Sequence, residues 1–213
     1  MPGKVPISRH LDLFRYWTAK RGARPLPTRR DLDPAEMRGL LPHVALVDRE
    51  RGFYRWRLMG TAIAGDIGRD LTGQRCGGHV GTPDFIAALA ATFDRVLGDG
   101  RPMFEDSLYV AAAGVLHSVS RLLLPLAAGD GVPAMVLLTR ISRFHHDPRA
   151  DRDWLKGAAG TVRGAVAIAS FEDLAASAAA WEREADARPL EAPGAVRRDT
   201  ALAMALRRFP RGI

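Results

Sequence analysis

Proline and glycine signals in the first third of the chain constrain its fold most strongly. Asp33-Pro34 is a helix N-cap followed by proline at the first helical position, and Leu41-Pro42 ends that short helix. A hairpin follows, and its second strand, 53–59, breaks at Gly60 into a short helix over 61–67. This order of elements predicts an α+β domain.

A further helix is predicted before these elements, over residues 8–21. It is amphipathic, and its apolar face carries Leu11, Phe14 and Trp17. Two aromatic side chains on a short and otherwise polar helix need cover, either from the outer face of a sheet or from a second subunit. The remaining predicted elements are a helix over 84–97, strands over 103–111, 117–126 and 134–144, and alanine-rich helices over 151–168 and 171–186.

These elements divide the chain into four parts. Residues 34–146 follow the order β-β-α-α-β-β-β, which implies a five-stranded antiparallel sheet with short helices on one face. Residues 1–33 are an N-terminal amphipathic helix and linker. Residues 147–186 are an alanine-rich helical extension outside the core, and 187–213 form a basic tail.

Composition says more about the cellular location of the protein than about its activity. The net charge of +7 is concentrated at the two ends of the chain, which fits solubility or a loose contact with an anionic polymer. The single cysteine, Cys76, excludes an internal disulfide framework and fits a reducing cytoplasm. No apolar run has the length of a signal peptide or a membrane span. We therefore expect a cytoplasmic protein without a membrane span.

The motifs of the first third resemble those of bacterial PAS domains, and in particular the fifth PAS family, PAS_5. The matching residues are Asp33-Pro34, Leu41-Pro42, Arg57-Leu58-Met59-Gly60-Thr61 and Leu71-Thr72-Gly73. The resemblance covers about residues 10–145. It implies a non-enzymatic module that senses a signal or binds a protein partner in bacterial regulation.

A PAS pocket lies between the concave face of the sheet and the short helices, so the resemblance also implies where a small molecule binds. Arginine suits an anionic ligand, because its guanidinium group recognises carboxylate or phosphate. The candidate ligand-binding residues are Trp56, Arg57, Arg69, His79, His117 and Arg121. PAS domains commonly pair through flanking helices, so the resemblance implies a homodimer with Leu11, Phe14 and Trp17 at its interface.

Known PAS cofactors find little support in the sequence. Cys76 follows the glycine turn as a photoactive cysteine does in flavin-binding PAS domains, but the flanking residues differ and the chain contains no asparagine to hold a flavin ring. His79 and then His117 are the best candidates for a haem ligand, but a lone histidine is more often structural. The sequence therefore argues against both flavin and haem. His145-His146-Asp147 lacks the spacing of a metal site.

Three other functions stay open. The basic ends allow a nucleotide-binding or nucleic-acid-binding regulator, although a nucleic-acid reader more often carries its charge on the folded domain. A small-molecule enzyme is a second alternative, but the sequence has no catalytic motif for hydrolysis or phosphate transfer. An empty PAS scaffold that binds only proteins is the third.

Overall fold

The computed structural model describes residues 6–77, 83–110, 116–145 and 159–187. The helices are α1 (Ser8–Arg21), α2 (Thr61–Ile67), α3 (Pro83–Asp99) and α4 (Phe171–Ala187). The strands are β1 (Val44–Glu50), β2 (Phe53–Met59), β3 (Met103–Val110), β4 (Leu116–Ala127), β5 (Pro133–His145) and β6 (Ala159–Ala167). No helix in these ranges is long and apolar enough to cross a membrane.

The six strands form one antiparallel sheet in the order β2-β1-β5-β4-β3-β6. Helices α1 and α4 cover one face, which we call the outer face, and α2 and α3 cover the other, which we call the inner face. On β4, Leu122 and Leu124 join the outer core, whereas Val119 and Leu123 join the inner core. Both faces of the central strands are buried, which explains their nearly continuous apolar sequences.

The sixth strand corrects the predicted architecture. Residues 151–168 were expected to be helical, but β6 occupies Ala159–Ala167 and pairs with β3 along its whole length. Alanine favours a helix by intrinsic propensity, yet the backbone groups of β3 need partners and pairing with it overrides that propensity. The predicted α+β class and antiparallel sheet are confirmed, but the sheet has six strands instead of five.

Helix α4 confirms the helix predicted over 171–186 but corrects its location. Leu174, Ala178 and Trp181 are buried in the outer core together with Leu13 of α1. The segment therefore completes the covering of the sheet and does not extend away from it. The division of the chain into four domains stays a prediction.

The short helix predicted over 34–41 is absent from the described structure. Its cap is present, because the Asp33 carboxylate accepts a hydrogen bond from the backbone N–H of Ala35 at 2.8 Å. Successive turns follow, and a single 3₁₀ turn, Leu41–His43, leads into β1. Gly39 and Pro42 lie too close together for a regular helix to continue between them.

Helix α1 has the predicted bounds, and its aromatic residues are covered within the chain. Phe14 and Trp17 are buried in the outer core. The indole N–H of Trp17 donates to the carbonyl oxygen of Pro125 at 2.9 Å. The two rings therefore need no second subunit for cover, and homodimerisation through Leu11, Phe14 and Trp17 stays a prediction.

A bulge in the first hairpin changes which way β2 side chains point. Leu46 pairs with Leu58 and Val47 pairs with Trp56, so Arg57 is the extra residue between them. Trp56 faces the inner core, while Leu58 packs against the outer core. Simple alternation predicted Tyr54, Trp56 and Leu58 on one face, and this is wrong at Leu58 because of the bulge.

Gly60 connects β2 to α2 at a point where the backbone passes very close to the segment before β1. A Cβ atom at this position would lie 2.3 Å from the carbonyl oxygen of Leu41 and 2.4 Å from that of Pro42. The backbone N–H of Gly60 also donates to the carbonyl of Val44 at 2.8 Å. Only glycine permits this approach, and it brings α2 over the inner face of the sheet.

Candidate functional site

A small cavity lies between the inner face of the sheet and helices α2 and α3. Its volume is about 50 Å³, and we call it the small cavity. Most of its wall is apolar. It is lined by Ala45, Trp56, Ile63, Ile67, Leu71, Arg75, Gly77, Phe85, Ile86, Leu89, Arg121, Leu138 and Arg140.

Trp56 lines this cavity, and its side chain carries a buried polar atom. Its side chain is 9% exposed, and its ring meets the ring of Phe93 edge-on with centroids 6.5 Å apart. The indole Nε1–H is buried and has no hydrogen-bond acceptor among the described residues. A buried donor without a partner costs folding free energy, so such groups call for an explanation.

Arg121 carries a buried charge that its neighbours compensate. It lies opposite Glu105 in the β3–β4 pairing, and its Nη1 donates to Glu105 Oε1 and, at 2.8 Å, to Ser107 Oγ. Ser107 in turn donates to Glu105 Oε1 at 2.7 Å, while Glu105 Oε2 has no partner in the described part of the chain. The carboxylate neutralises the guanidinium, so this pair adds no net charge to the cavity wall.

Arg140 connects the cavity wall to helix α2. Its Nη1 donates to Asp66 Oδ2 at 3.1 Å across the space between β5 and α2. The guanidinium is nearly buried and the carboxylate is about one-third exposed. This second ion pair is also neutral, and it fixes the position of α2 over the sheet.

Arg75 differs from the other two arginines of the wall. It is exposed, and its guanidinium carbon lies 4.1 Å from the centre of the Phe53 ring. None of the ion pairs among the described residues includes Arg75. Its acidic neighbour is Glu50, whose pKa Arg55 lowers most and Arg75 lowers further without reaching ion-pair distance in the described structure.

A second, larger cavity adjoins the first. Its volume is about 370 Å³, and it shares Arg75, Gly77, Ile86 and Leu89 with the small cavity. A Cβ atom on Gly77, whose φ is +85°, would lie 2.4 Å from Ile86 Cγ2. The close contact of these two residues therefore separates the two cavities.

The thiol and the phenol of the large cavity are both protonated at neutral pH. Burial raises the pKa of the Cys76 thiol to about 12, so the cysteine is no ready nucleophile. The Tyr54 hydroxyl donates to Asp94 Oδ1 at 2.6 Å. Burial and that carboxylate raise the pKa of Tyr54. No group of three or more metal-binding side chains occurs among the described residues.

The structure brings together two of the six predicted ligand-binding residues. Trp56 and Arg121 both line the small cavity. Arg57 does not, because it directly follows Trp56 on β2 and faces the opposite, exposed side, where its Nη2 donates to Asp48 at 2.8 Å and to Glu50 at 3.0 Å. Arg69 is also exposed and outside the wall, with its Nη2 3.3 Å from Gln74 Oε1. Both placements correct the prediction.

The structure does not describe the side chains of the two predicted histidines. His79 lies outside the described residues. His117 lies in β4, in register with Tyr109 of β3 and Phe144 of β5, but its side chain is outside the described part of the structure.

Sequence reasoning missed two arginines of the cavity wall. Arg140 could have been found, since it is a cation inside the apolar strand β5 and lies one residue from the outward-facing Thr139. Arg75 carries no comparable signal, because it lies in a glycine-rich segment where a charged residue is unremarkable.

Comparison with known proteins agrees with this architecture. The family model PAS_5, described as a PAS domain, matches residues 6–138, which is more than half of the chain. The chain belongs to this PAS family. No curated protein matches the sequence. PAS domains are typically sensory, so the family fits a signal-sensing module.

Several solved structures are similar in fold to this PAS protein. One is a light-oxygen-voltage domain studied with a flavin analogue, at 12% identity and a TM-score of 0.41, with 57% of this chain and 87% of that chain covered. Another is the LOV protein RsLOV with an aspartate-to-glycine substitution, at 15% identity and a TM-score of 0.42, with coverage of 70% and 95%. A third is an RNA-binding light-oxygen-voltage receptor, at 12% identity and a TM-score of 0.38, with coverage of 76% of this chain and 42% of that chain.

These structures contradict the expectation that flavin is not a ligand. Light-oxygen-voltage domains, one of them described with a flavin analogue, are among the folds that this chain resembles, and we withdraw the exclusion. One of the three structures is of an RNA-binding receptor. At these TM-scores the likeness assigns neither ligand to this chain.

Proposed function

We propose that this PAS protein is a non-enzymatic sensor that binds a small molecule in the small cavity. The observation that carries the proposal is the mostly apolar cavity between the inner face of the sheet and helices α2 and α3, whose wall also includes the arginines Arg75, Arg121 and Arg140. Ligand sites typically combine apolar walls with a few polar groups that fix orientation.

The charged groups around the cavity support binding more than catalysis. Arg121 and Arg140 are held in ion pairs, and the pKa of the Cys76 thiol is far above neutrality. A general acid or base works best with a pKa near the working pH. Among the described residues of the wall, we find no group with that property.

Strand β5 offers a route from the cavity to the outer helices. Arg140 faces the cavity, while its neighbour Thr139 faces the outer side and lies 2.5 Å from His10 Nδ1 of α1. Three residues further, Arg143 donates to Glu182 of α4 at 2.9 Å. A ligand that moved Arg140 would shift both helices, and bound and free populations would differ in helix packing.

We include homodimerisation and a cytoplasmic location in the proposal. A free cysteine persists in the reducing cytoplasm, which fits Cys76. Helix α1 has a partly buried Leu11 at the edge of the outer core, where a second copy could add cover. In such a homodimer, regulation would couple the small cavity of one copy to that of the other.

Native mass spectrometry of the purified protein, compared with the denatured mass, tests the proposal. We expect a retained small molecule on each chain and a mass of two chains. An absorbance spectrum of the same sample shows whether the molecule is a flavin or another chromophore. A fully unliganded protein that binds no compound from a metabolite extract would contradict the proposal.

Two matched variants locate the ligand. Ala45 lines only the small cavity and Ala90 lines only the large one. Ala45→Val adds two methyl groups to the small cavity and is expected to abolish retention, whereas Ala90→Val is expected to preserve it. Retention by both variants would place the molecule elsewhere.

A further inference from the structure

The wall of the small cavity is buried on every side but one. Its residues on the sheet and on α2 are closed off from solvent, as Leu138 at 1% exposure and Ile63 at 2% exposure show. Among the described residues of the wall, those that are not buried are Arg75, which is exposed, and Gly77 and Ile86, which are half-buried. A molecule that enters the small cavity without opening the core therefore passes this side.

The same side faces the large cavity. Arg75, Gly77 and Ile86 line both cavities. The large cavity is open to solvent, because the side chains of Arg49 and Asp94 in its wall are each 56% exposed. The way from solvent to the small cavity therefore leads through the large one.

A single side chain closes the passage between the two cavities. Ile86 of α3 lies so close to the backbone of Gly77 that a Cβ atom there would be 2.4 Å from Ile86 Cγ2 and 2.8 Å from Ile86 Cγ1. Both of these atoms are bonded to the branched Cβ of the isoleucine. A β-branched side chain in a helix has one strongly preferred χ1 rotamer, so the passage stays closed until Ile86 leaves that rotamer.

The large cavity provides the space for this movement. Its volume of about 370 Å³ adjoins Ile86, so the side chain can turn away from Gly77 without displacing packed residues. Helix α3 itself is held in the inner core by Phe85 and Phe93, which are 3% and 0% exposed. Ile86 can therefore open and close the passage by a change of rotamer while α3 stays in place.

We propose that the large cavity is the entrance to the small cavity and that Ile86 is the gate between them. The gate is closed when Ile86 contacts Gly77 and open when its side chain turns into the large cavity. The inference rests on the proposed function, because it concerns access to the cavity in which that function places the ligand. A gate sets the barrier to entry and exit, so removing it raises both rates and leaves the affinity nearly unchanged.

Xenon is the probe for the test, because it is uncharged and binds in apolar cavities. The volume of about 50 Å³ is several times the roughly 10–15 Å³ that one water molecule needs. In nuclear magnetic resonance of the full chain labelled at isoleucine and alanine methyl groups, Ile67 reports on the small cavity and Ala90 on the large one, since each lines only that cavity. Exchange broadening of the Ile67 signal gives the rates of xenon entry and exit.

Ile86→Ala and Ile86→Val form a matched pair of variants. Alanine removes both atoms that contact Gly77, whereas valine keeps both. Ile86→Ala is expected to raise the rates of xenon entry and exit at least about tenfold and to change the affinity less than about threefold. Ile86→Val is expected to change the rates less than about threefold. Equal rates in the two variants would overturn the gate.

Ile63→Ala separates the gate from a change in cavity size. It removes the same atoms from the α2 side of the small cavity, away from the large one. Xenon affinity is expected to rise, while the entry rate changes less than about threefold. An entry rate as high as that of Ile86→Ala would overturn the gate, because any loss of wall atoms would then open the cavity. An Ile67 signal that xenon moves in no variant would overturn it as well. Urea unfolding checks that each variant is folded, and Ile63→Val replaces the alanine variant if it is not.

The failure of this inference can be told apart from failure of the proposed function. If native mass spectrometry finds a retained molecule, Ile86→Ala is expected to lose it on dilution at least about tenfold faster than the natural sequence does. An unchanged rate of loss would overturn the gate and leave the sensor function standing. Conversely, xenon exchange controlled by Ile86 in a protein that binds no small molecule would support the gate and contradict the sensor function.

Discussion

The two faces of the sheet differ in how completely they are filled and paired. On the outer face, His10 lies fully buried under α1, with Nδ1 2.5 Å from Thr139 Oγ1 and Nε2 2.9 Å from Ser120 Oγ. On the inner face, two cavities remain and the Trp56 donor has no acceptor in the described structure. The outer face is therefore the more completely packed and paired, while the inner face retains open space and an unpaired donor.

The largest expected difference between the faces comes from removing one leucine on each. Leu13 of α1 is fully buried in the outer core, whereas Leu89 of α3 borders both inner cavities. Leu13→Ala is expected to lower the free energy of unfolding by about 3 to 5 kcal/mol. Leu89→Ala is expected to cost about 2 kcal/mol, because its side chain has fewer packing contacts to lose.

Urea denaturation of the two variants measures both values. Both positions are helical, so the intrinsic helix propensity of the substitution cancels in the comparison. Equal losses would mean that the inner face is packed as tightly as the outer one, and the contrast between the faces would fail.

The next largest effect is a pH dependence that originates on the outer face. Burial, with Arg143 as a smaller cause, lowers the pKa of His10 from 6.5 to about 3. Between pH 6.5 and about 3 the unfolded chain binds a proton at His10 that the folded chain does not. The free energy of unfolding should therefore fall as the pH drops through this window, by about 3 kcal/mol between pH 7 and pH 4.

His10→Gln isolates this contribution. Its own stability at pH 7 is lower, since a buried hydrogen-bond network is changed, but its loss between pH 7 and pH 4 should be about 3 kcal/mol smaller than that of the natural sequence. Asp31 and His43, whose pKa values are also lowered, titrate in both proteins and cancel. Identical pH slopes would show that His10 is accessible to protons in the folded state.

A smaller effect compares the two buried indole groups directly. Trp17→Phe removes a donor and leaves the carbonyl of Pro125 without it, whereas Trp56→Phe removes a donor that has no acceptor. The ring volume lost is the same in both. Trp17→Phe is expected to be more destabilising by about 1 kcal/mol. Thermal or urea unfolding without added ligand decides this, and the reverse order would show that Trp56 has a partner in solution.

The smallest effect concerns a residue that belongs to neither face. Arg57 is exposed at the bulge and forms ion pairs with Asp48 and Glu50. Arg57→Gln is expected to change the free energy of unfolding by less than about 1 kcal/mol, because exposed ion pairs are screened by water. A larger loss in urea denaturation would give the family motif around this residue a structural role.

Sequence alone predicts the regular elements well where local signals and tertiary packing agree. Helix Ser8–Arg21, strand Phe53–Met59 and helix Thr61–Ile67 have the bounds that periodicity and the glycine signals indicate. The prediction missed strand β6 because it weighted the alanines of the segment, although Thr161, Val162 and Val166 favour a strand, which pairs with β3.

The candidate site was predictable only in part. Trp56 and Arg121 are apolar-strand residues whose alternation places them toward the helices, and the structure puts both in the cavity wall. Arg57 lies outside the cavity because it directly follows Trp56 and faces the other side of β2, whereas the bulge changes the side of Leu58. The unpaired state of the Trp56 indole depends on three-dimensional packing and leaves no trace in the sequence.

The two edges of the sheet differ in whether they can pair with a further strand. Along β2, the backbone of the segment from Gly73 to Cys76 donates to Trp56 and Tyr54 and accepts from Trp56, so this edge is already occupied. Strand β6, where Val166 is half exposed, is the edge without a neighbouring strand in the described part of the sheet. A sheet that can accept a strand on one side only cannot polymerise by edge pairing, because the first addition uses its single open position. The glycine-rich segment beside β2 thus limits aggregation by edge pairing.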